Sequence, residues 1–374
     1  MKIKAAVLHE MGLDRPYADS KPVKIEELDL DPPEEGEVLV RVNAAGICHS
    51  DLSVLEGVRP RPLPMALGHE GAGVVEDVGA GVDDLARGDH VVFVFMPSCG
   101  VCEPCSEGRP AICEPGLAAN VAGMLLGGGR RLHCDGDYIY HQVGVSCFAE
   151  AAVTSRKSLV KIDPELPLDQ AALFSCAVIT GVGSVVNTAK VPAGSSVAVV
   201  GLGGTGLATL LGAKAVGAAR IVGLDTLPHK LDLGRDLGAD YVFDAGADDV
   251  IGQVRDATGG GVDYAFECVG RVEAMELAYA ITRRGGTTVT SGLSHPEHKM
   301  KISHVNIVVE ERTIKGSYLG SCVPGRDIPH YIELFQHGKL PVDALISSKI
   351  ALDDINEGFD ALADGEVVRQ IITF

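Results

Sequence analysis

The sequence has no apolar run long enough to cross a membrane: nothing in its 374 residues approaches the ~18 uninterrupted apolar positions that a spanning helix requires. The opening MKIKAAVLHE lacks the extended apolar core of a secretory leader, and no low-complexity tract interrupts the chain. Basic side chains are scarce, with 32 Lys and Arg against 51 Asp and Glu and a net charge of −19. That deficit argues against nucleic acid or an anionic membrane surface as a partner. A hydrophobic content of 46% points to an ordered globular protein, and the length to two or three domains. Ten cysteines in a long chain without a leader are better read as metal ligands or catalytic groups than as a disulfide framework, and the expected compartment is the cytoplasm.

The most informative stretch is Ser195–Asp225. Val197–Val200 is a short apolar run of strand type, followed by Gly201-Leu-Gly203-Gly204-Thr205-Gly206, a segment of helical composition and a second buried strand ending at Asp225. Strand, glycine turn, helix, strand and acid within ~30 residues make a βαβ unit for a dinucleotide. In such a unit Gly201 permits the tight turn, Gly203 lets the backbone approach a pyrophosphate, and Gly206 allows close helix–strand packing. The helix N-terminus offers N–H groups to the pyrophosphate, and Asp225 sits where a carboxylate meets the adenosine ribose, favouring NAD over a 2′-phosphorylated cofactor.

Around this unit the texture changes twice. The first ~150 residues alternate apolar and polar side chains, as in Glu37–Val42, Gly71–Gly79 and Asp89–Phe95, and predict a mostly antiparallel β domain. Asp169–Val178 reads as a helix. After Asp225, helices at Leu227–Leu237, Asp248–Ala257 and Val272–Ile281 alternate with strands at Tyr241–Phe243, Val262–Cys268 and Thr287–Ser291, which predicts a parallel sheet with right-handed crossovers. A strand at Thr313–Leu319, helices at Ile328–His337 and Asp353–Ala363 and a last strand at Val367–Phe374 complete the chain. The terminal segment is expected to rejoin the first domain. The expected division is residues 1–178 with 319–374 in one domain and 179–318 in the other.

Two cysteine groups carry metal chemistry. Cys99, Cys102, Cys105 and Cys113 place four thiols within fifteen residues at C-x-x-C steps, the spacing of a closed tetrahedral zinc site. An iron–sulfur centre or a redox pair is the alternative, although a redox C-x-x-C would lie near the βαβ unit and this one does not. The second group is dispersed: Cys48-His49-Ser50-Asp51, Gly68-His69-Glu70 and Phe174-Ser-Cys176, the first two placed at turns between strands. Taken singly, each of these residues could equally be a buried small hydrophobe or a satisfied polar group.

Together, the Gly-Ile-Cys48-His-Ser50-Asp51, Gly68-His69-Glu70-Gly71, Cys99/Cys102/Cys105/Cys113, Cys176-Ala-Val-Ile-Thr180-Gly181, Gly201–Gly206, Asp225 and Lys230, and Arg369-Gln-Ile-Ile-Thr-Phe374 motifs resemble the zinc-dependent medium-chain alcohol dehydrogenases over essentially the whole chain. The resemblance implies an α/β protein with a GroES-like, mostly antiparallel β catalytic domain and a Rossmann coenzyme domain with a doubly wound parallel sheet. It implies NAD and two zinc ions per chain. The catalytic ion would sit on Cys48, His69 and Cys176, and the structural one on Cys99, Cys102, Cys105 and Cys113. Asp51 would hold the tautomer of His69, Glu70 would lie behind the metal, and Ser50 would take the proton of the alcohol. His49 and Arg369 match cofactor-phosphate contacts, and Thr180 lies by the nicotinamide. Gly201, Gly203, Gly204, Thr205 and Gly206 form the cofactor turn, and Lys230 joins Asp225 at the ribose. Phe95, Gln142, Leu293 and Tyr318 align with the substrate channel, whose loop Glu114–Gly144 is too irregular to interpret.

What the resemblance implies is reversible hydride transfer between a primary alcohol and NAD, with a small alcohol or aldehyde as the partner molecule and a homodimer, or else a homotetramer, as the assembly. Two departures from the family pattern bear on this. Relatives with a complete proton relay carry a histidine three residues after the Ser50 position, where this chain has Ser53. The glutathione-dependent formaldehyde dehydrogenases, the competing subfamily, carry acidic and arginine side chains where this chain has Arg59 and Leu117. Loss of a metal ligand or of Ser50 would have pointed to a non-enzymatic zinc-stabilised nucleotide binder, and loss of Cys48, His69 and Cys176 to a zinc-free quinone reductase. All of these residues are present.

Overall fold

A computed structural model describes residues Met1–Phe374, which divide into two compact units. The first comprises Met1–Cys176, Val323–His330 and Asp343–Phe374, and the second Ala177–Cys322 and Tyr331–Val342.

The first unit is built from two β arrangements. Lys2–Leu8, Val23–Leu30, Leu132–Cys134, Asp137–His141 and Met65–Ala66 close into a small barrel. A larger sheet runs in the order Leu159–Lys161, His90–Phe93, Gly71–Val78, Glu37–Ile47, Arg369–Thr373 and Ile346–Ile350, with Ala151–Ser155 also paired to Glu37–Ile47. The C-terminal strand lies antiparallel to Glu37–Ile47, pairing Gln370 with Ile47. Val38, Val40 and Val42 alternate inward along the central strand and meet Leu52, Leu55, Phe93, Phe148 and Phe359 in one core. Burial on the order of 25 cal/mol per Å² of apolar surface makes this cluster the foundation on which the polar site rests.

Three details of this unit differ from the sequence-based expectation. Cys48 does not lie in a turn between strands; it is the N-cap of a short helix, His49–Leu55. The expected helix Asp169–Val178 is broken: Leu168–Ala171 passes into a 3₁₀ turn at Ala172–Ser175, and Cys176 leaves helical geometry at φ −140° and ψ −69° before a new helix begins at Ala177. The stretch 114–144, which showed no readable pattern, holds a helix at Glu114–Ala122 and the Leu132–Cys134/Asp137–His141 hairpin. Arg131 anchors that hairpin through bonds to both Glu37 oxygens at 2.8 and 2.9 Å, an interaction that sequence spacing does not reveal.

The second unit carries a six-stranded, all-parallel sheet in the order Tyr241–Asp244, Arg220–Asp225, Ser196–Val200, Val262–Glu267, Thr282–Thr290 and Thr313–Gly316. Val197 to Val200 are buried to within 1%, as expected for a strand covered on both faces. Strand order reverses on either side of Ser196–Val200, and ligands of such sheets bind at the carboxyl ends beside that reversal. The glycine turn lies there, leading into the Gly204–Ala215 helix.

The glycines of that turn have separable roles. A Cβ on Gly206 would fall 1.7 Å from the Gly201 carbonyl oxygen, whereas one on Gly203 would meet no protein atom within 4 Å. Gly206→Ala should therefore destabilise the protein by about 1–3 kcal/mol or more in denaturant unfolding. Gly203→Ala should shift stability by no more than ~0.5 kcal/mol while weakening dinucleotide binding measured by calorimetry. Equal destabilisation by both would contradict this division of roles.

Candidate active site and metal centres

Cys48, His69 and Cys176 come from three separate segments of the first unit, and all three are buried. Their Sγ and ring-nitrogen atoms lie within 4.8 Å of one another. Each is placed by a different local device. Cys48 caps its helix, with its own N–H donating to Asp51 Oδ2 at 3.0 Å. Cys176 occupies the break between two helical segments. His69 follows Gly68, whose φ of +102° and contact with Phe148 leave no room for a side chain.

The imidazole has a fixed orientation. His69 Nδ1 lies 2.7 Å from Asp51 Oδ1 and donates to that carboxylate, which leaves Nε2 as the lone-pair nitrogen. Nε2 is buried without a protein partner. A buried imidazole nitrogen beside two thiols suits a metal that takes nitrogen and sulfur ligands, and the donor set fits zinc with one coordination position left over. Phe95 stands edge-on to the ring, centroids 5.4 Å apart at 86°.

The ionisable groups around the imidazole shift one another. A hydrogen bond with Cys176 outweighs burial and, with Arg369 and His69, holds Cys48 well below the ordinary thiol range. The same bond and burial push Cys176 well above it. Burial would lower the pKa of His69, but Asp51 prevails and raises it well above 6.5. Burial pushes Glu70 up to about 7, while Arg369 pulls the other way. A bound dication has to displace the remaining protons, so metal affinity rises with pH.

Glu70, expected behind the metal, is buried with Oε1 3.1 Å from Arg369 Nε but off the angle of a hydrogen bond. Its space exists because residue 46 is glycine, where a Cβ would fall 2.2 Å from Glu70 Oε1. Arg369, expected at a cofactor phosphate, is buried; it donates to the Ile47 carbonyl at 3.2 Å and to Cys48 Sγ at 3.5 Å. Gln142, expected in the substrate channel, is 3% exposed and bonds to Asp51 and to the Gly68 N–H, which places it in the scaffold of the site. No sequence signal could have revealed this, because 91 residues separate it from Asp51. Leu293 and Tyr318 belong to the second unit, Leu293 half-exposed and Tyr318 partly buried.

The second cluster is compact. Cys99, Cys102, Cys105 and Cys113 bring their sulfurs within 4.8 Å of one another. Backbone N–H groups of Val101 and Cys102 donate to Cys99 Sγ at 3.4 and 3.3 Å, and those of Cys99 and Gly116 to Cys113 Sγ at 3.2 and 3.4 Å. The Val101 and Cys102 amides draw Cys99 down to about 6, while burial pushes Cys105 up to about 12. Four thiolates cannot coexist at this spacing without a cation. All ten cysteines are free of disulfides.

In the second unit the dinucleotide turn is also tied by side chains. Asp225 accepts from the Leu202 N–H at 2.7 Å and the Leu227 N–H at 3.0 Å. The open space before Gly203, at a helix N-terminus, is the cradle a pyrophosphate needs. Gly204, Thr205 and Gly206 form the first turn of that helix, Lys230 is buried on the Pro228–Leu237 helix, and Thr180 lies on Ala177–Gly183.

Fold and clusters together define a class: the chain belongs to the zinc-dependent medium-chain alcohol dehydrogenases. Residues 34–164 match the alcohol dehydrogenase GroES-like domain, and residues 204–337 the zinc-binding dehydrogenase family. The chain is 39% identical over 360 residues to alcohol dehydrogenase class-3 of Drosophila melanogaster, covering 95% of each. It is 39% identical over 376 residues to the NDMA-dependent alcohol dehydrogenase of Amycolatopsis methanolica, covering 100% of this chain and 99% of that one. Among solved structures it is similar to benzyl alcohol dehydrogenase from Acinetobacter calcoaceticus, with a TM-score of 0.93, 31% identity and coverage of 100% and 99%. It is a zinc-dependent oxidoreductase of the alcohol dehydrogenase type, and its cofactors are zinc and NAD.

The two clusters should separate in experiment. Cys176→Ser should abolish turnover and leave thermal unfolding nearly unchanged. Cys102→Ser should lose one metal per chain and lower the melting temperature, because a closed zinc site contributes directly to folding. Full stability and activity in a metal-depleted Cys102→Ser protein would refute the structural role.

Proposed function

We propose that this protein oxidises primary alcohols to aldehydes with NAD, reversibly, using Cys48, His69 and Cys176 as catalytic zinc ligands. The observation that carries the reading is the buried thiol–imidazole–thiol group, its ligand atoms within 4.8 Å of one another, in which His69 Nε2 makes no hydrogen bond. A zinc ion held there would supply Lewis acidity that favours the deprotonated alcohol, and bound NAD would supply the hydride acceptor.

The chain's own residues then have distinct tasks. Asp51 keeps the imidazole in one tautomer, and Phe95 offers an apolar wall next to His69. Ser50, two residues beyond Cys48 on the His49–Leu55 helix, takes the alcohol proton. Ser53 does not continue the relay: its hydroxyl donates to the His49 carbonyl at 2.8 Å, a bond along its own helix, and serine does not titrate near neutrality. The proton leaves through water. His49 is assigned to a cofactor phosphate, and Asp225 with Lys230 to the adenosine ribose.

A second reading comes from S-(hydroxymethyl)glutathione dehydrogenase of Synechocystis, to which the chain is 38% identical. Leu117, half-exposed on the Glu114–Ala122 helix, offers no charge to a glutathione conjugate, which favours uncharged alcohols. Turnover across aliphatic, allylic and benzylic alcohols against the glutathione adduct of formaldehyde decides between them; a clear preference for the adduct would overturn the first reading.

Cofactor choice should follow Asp225, whose carboxylate repels a 2′-phosphate. Asp225→Gly should weaken NAD use and relieve NADP use, and comparable kcat/KM for the two cofactors in the parent would contradict the assignment. Ser50→Ala should lower kcat/KM by ~10²-fold or more, and Ser53→Ala far less, measured from about pH 6 to 9. Losses of equal size would sink the water exit.

A further inference from the structure

Gln142 reaches two parts of the metal centre at once. Its Oε1 accepts from the N–H of Gly68, the residue before His69, and its Nε2 donates to Asp51 Oδ1 at 2.9 Å. That same oxygen accepts from His69 Nδ1 at 2.7 Å. The partners fix the orientation of the amide, because a peptide N–H requires the amide oxygen and a carboxylate requires the amide nitrogen. Rotating the amide by 180° would break both bonds and leave Asp51 facing an oxygen.

The backbone around Gln142 is shaped to keep it there. Val143 has φ +45° and Ser146 φ +53°, both in the left-handed region. A β-branched residue adopts that conformation only where its surroundings enforce it. The turn is closed by the Gln142 N–H donating to Ser146 Oγ at 2.9 Å, and the Ser146 hydroxyl donates in turn to the Ala66 carbonyl at 2.8 Å. Ala66 and Gly68 flank Leu67 on the segment that delivers His69. Gln142 thus grips His69 from behind through its backbone and from the side through Asp51.

We infer that Gln142 is a positioning residue of the Cys48–His69–Cys176 centre, holding the imidazole so that Nε2 points at the ion. It acts through Asp51 and Gly68 and not on the substrate. The inference rests on the reading of Cys48, His69 and Cys176 as a zinc site. Loss of such an outer partner lowers metal affinity or activity by ~10–100-fold in comparable centres. The hydrogen bonds of the Gln142 side chain go to Gly68 and Asp51 and not to the Cys99–Cys113 cluster, which serves as an internal reference.

The test is zinc retention against a colorimetric chelator, with metal content per chain, for the parent, Gln142→Met, Asp51→Asn and the double variant. The parent should hold two zinc ions; a single ion, on the four-cysteine cluster, would refute the zinc-site reading itself. Gln142→Met matches the side chain in size and removes both bonds, and should release one zinc ~10–100-fold more readily while keeping the other. In the Asp51→Asn background the same substitution should cost much less, since partners in one network are not additive. Unchanged retention in Gln142→Met, or the same loss in both backgrounds, would overturn the inference. Should Gln142→Met fail to fold, Gln142→Asn keeps the amide but is too short to span both partners. It should show part of the same selective loss, and parent-like retention would overturn the inference equally.

Discussion

Six ionisable side chains, Cys48, Asp51, His69, Glu70, Cys176 and Arg369, are buried together in a β domain, none more than 7% exposed. Burying charge without a partner costs several kcal/mol per ion, so the neighbourhood is arranged to pair them. Asp51 answers His69, Gln142 and the Cys48 amide, and Arg369 answers Glu70 and Cys48. One nitrogen and two sulfurs are left for a cation to unite. The valine- and phenylalanine-rich core beneath supplies the stability against which this polar group is held, and Gly46 and Gly68 supply the space.

The nucleotide unit works by a different principle. The surface assigned to the dinucleotide is backbone: a helix N-terminus and a turn where Gly203 leaves the approach open. Asp225 ties the turn to the next helix by two amide bonds, so the group assigned to ribose recognition also fixes the loop it belongs to. A substitution there acts on loop geometry as well as on charge, and both belong in any account of altered cofactor preference.

Relatives at 38% and 31% identity bear names that differ in substrate, S-(hydroxymethyl)glutathione and benzyl alcohol. This follows from the division of labour within the fold. Zinc and dinucleotide chemistry are fixed by a few ligands and a glycine turn, whereas hydrophobic pockets discriminate substrates by only about 1–3 kcal/mol for a change of one methylene. A handful of wall residues can thus redirect a conserved reaction, and here Gln142, aligned with the wall, belongs to the scaffold instead.

Local chemistry was legible in the sequence wherever it is carried by neighbours in the chain. The four-cysteine cluster, the Gly201–Gly206 turn and the strand–helix rhythm of the parallel sheet all depend on spacings of a few residues, and the Val272–Ile281 helix falls where its pattern places it. Cys48, His69 and Cys176 were recognisable only through family motifs, since no local pattern unites residues so far apart. What tertiary structure alone decided are the long-range bonds: Gln142 to Asp51, Arg131 to Glu37, and Arg369 to Cys48. It also decided the break at Cys176, where an alanine-rich helical pattern gives way at a proposed metal ligand. Propensity and period describe what a segment does by itself, whereas burial of charge is settled only when distant segments meet.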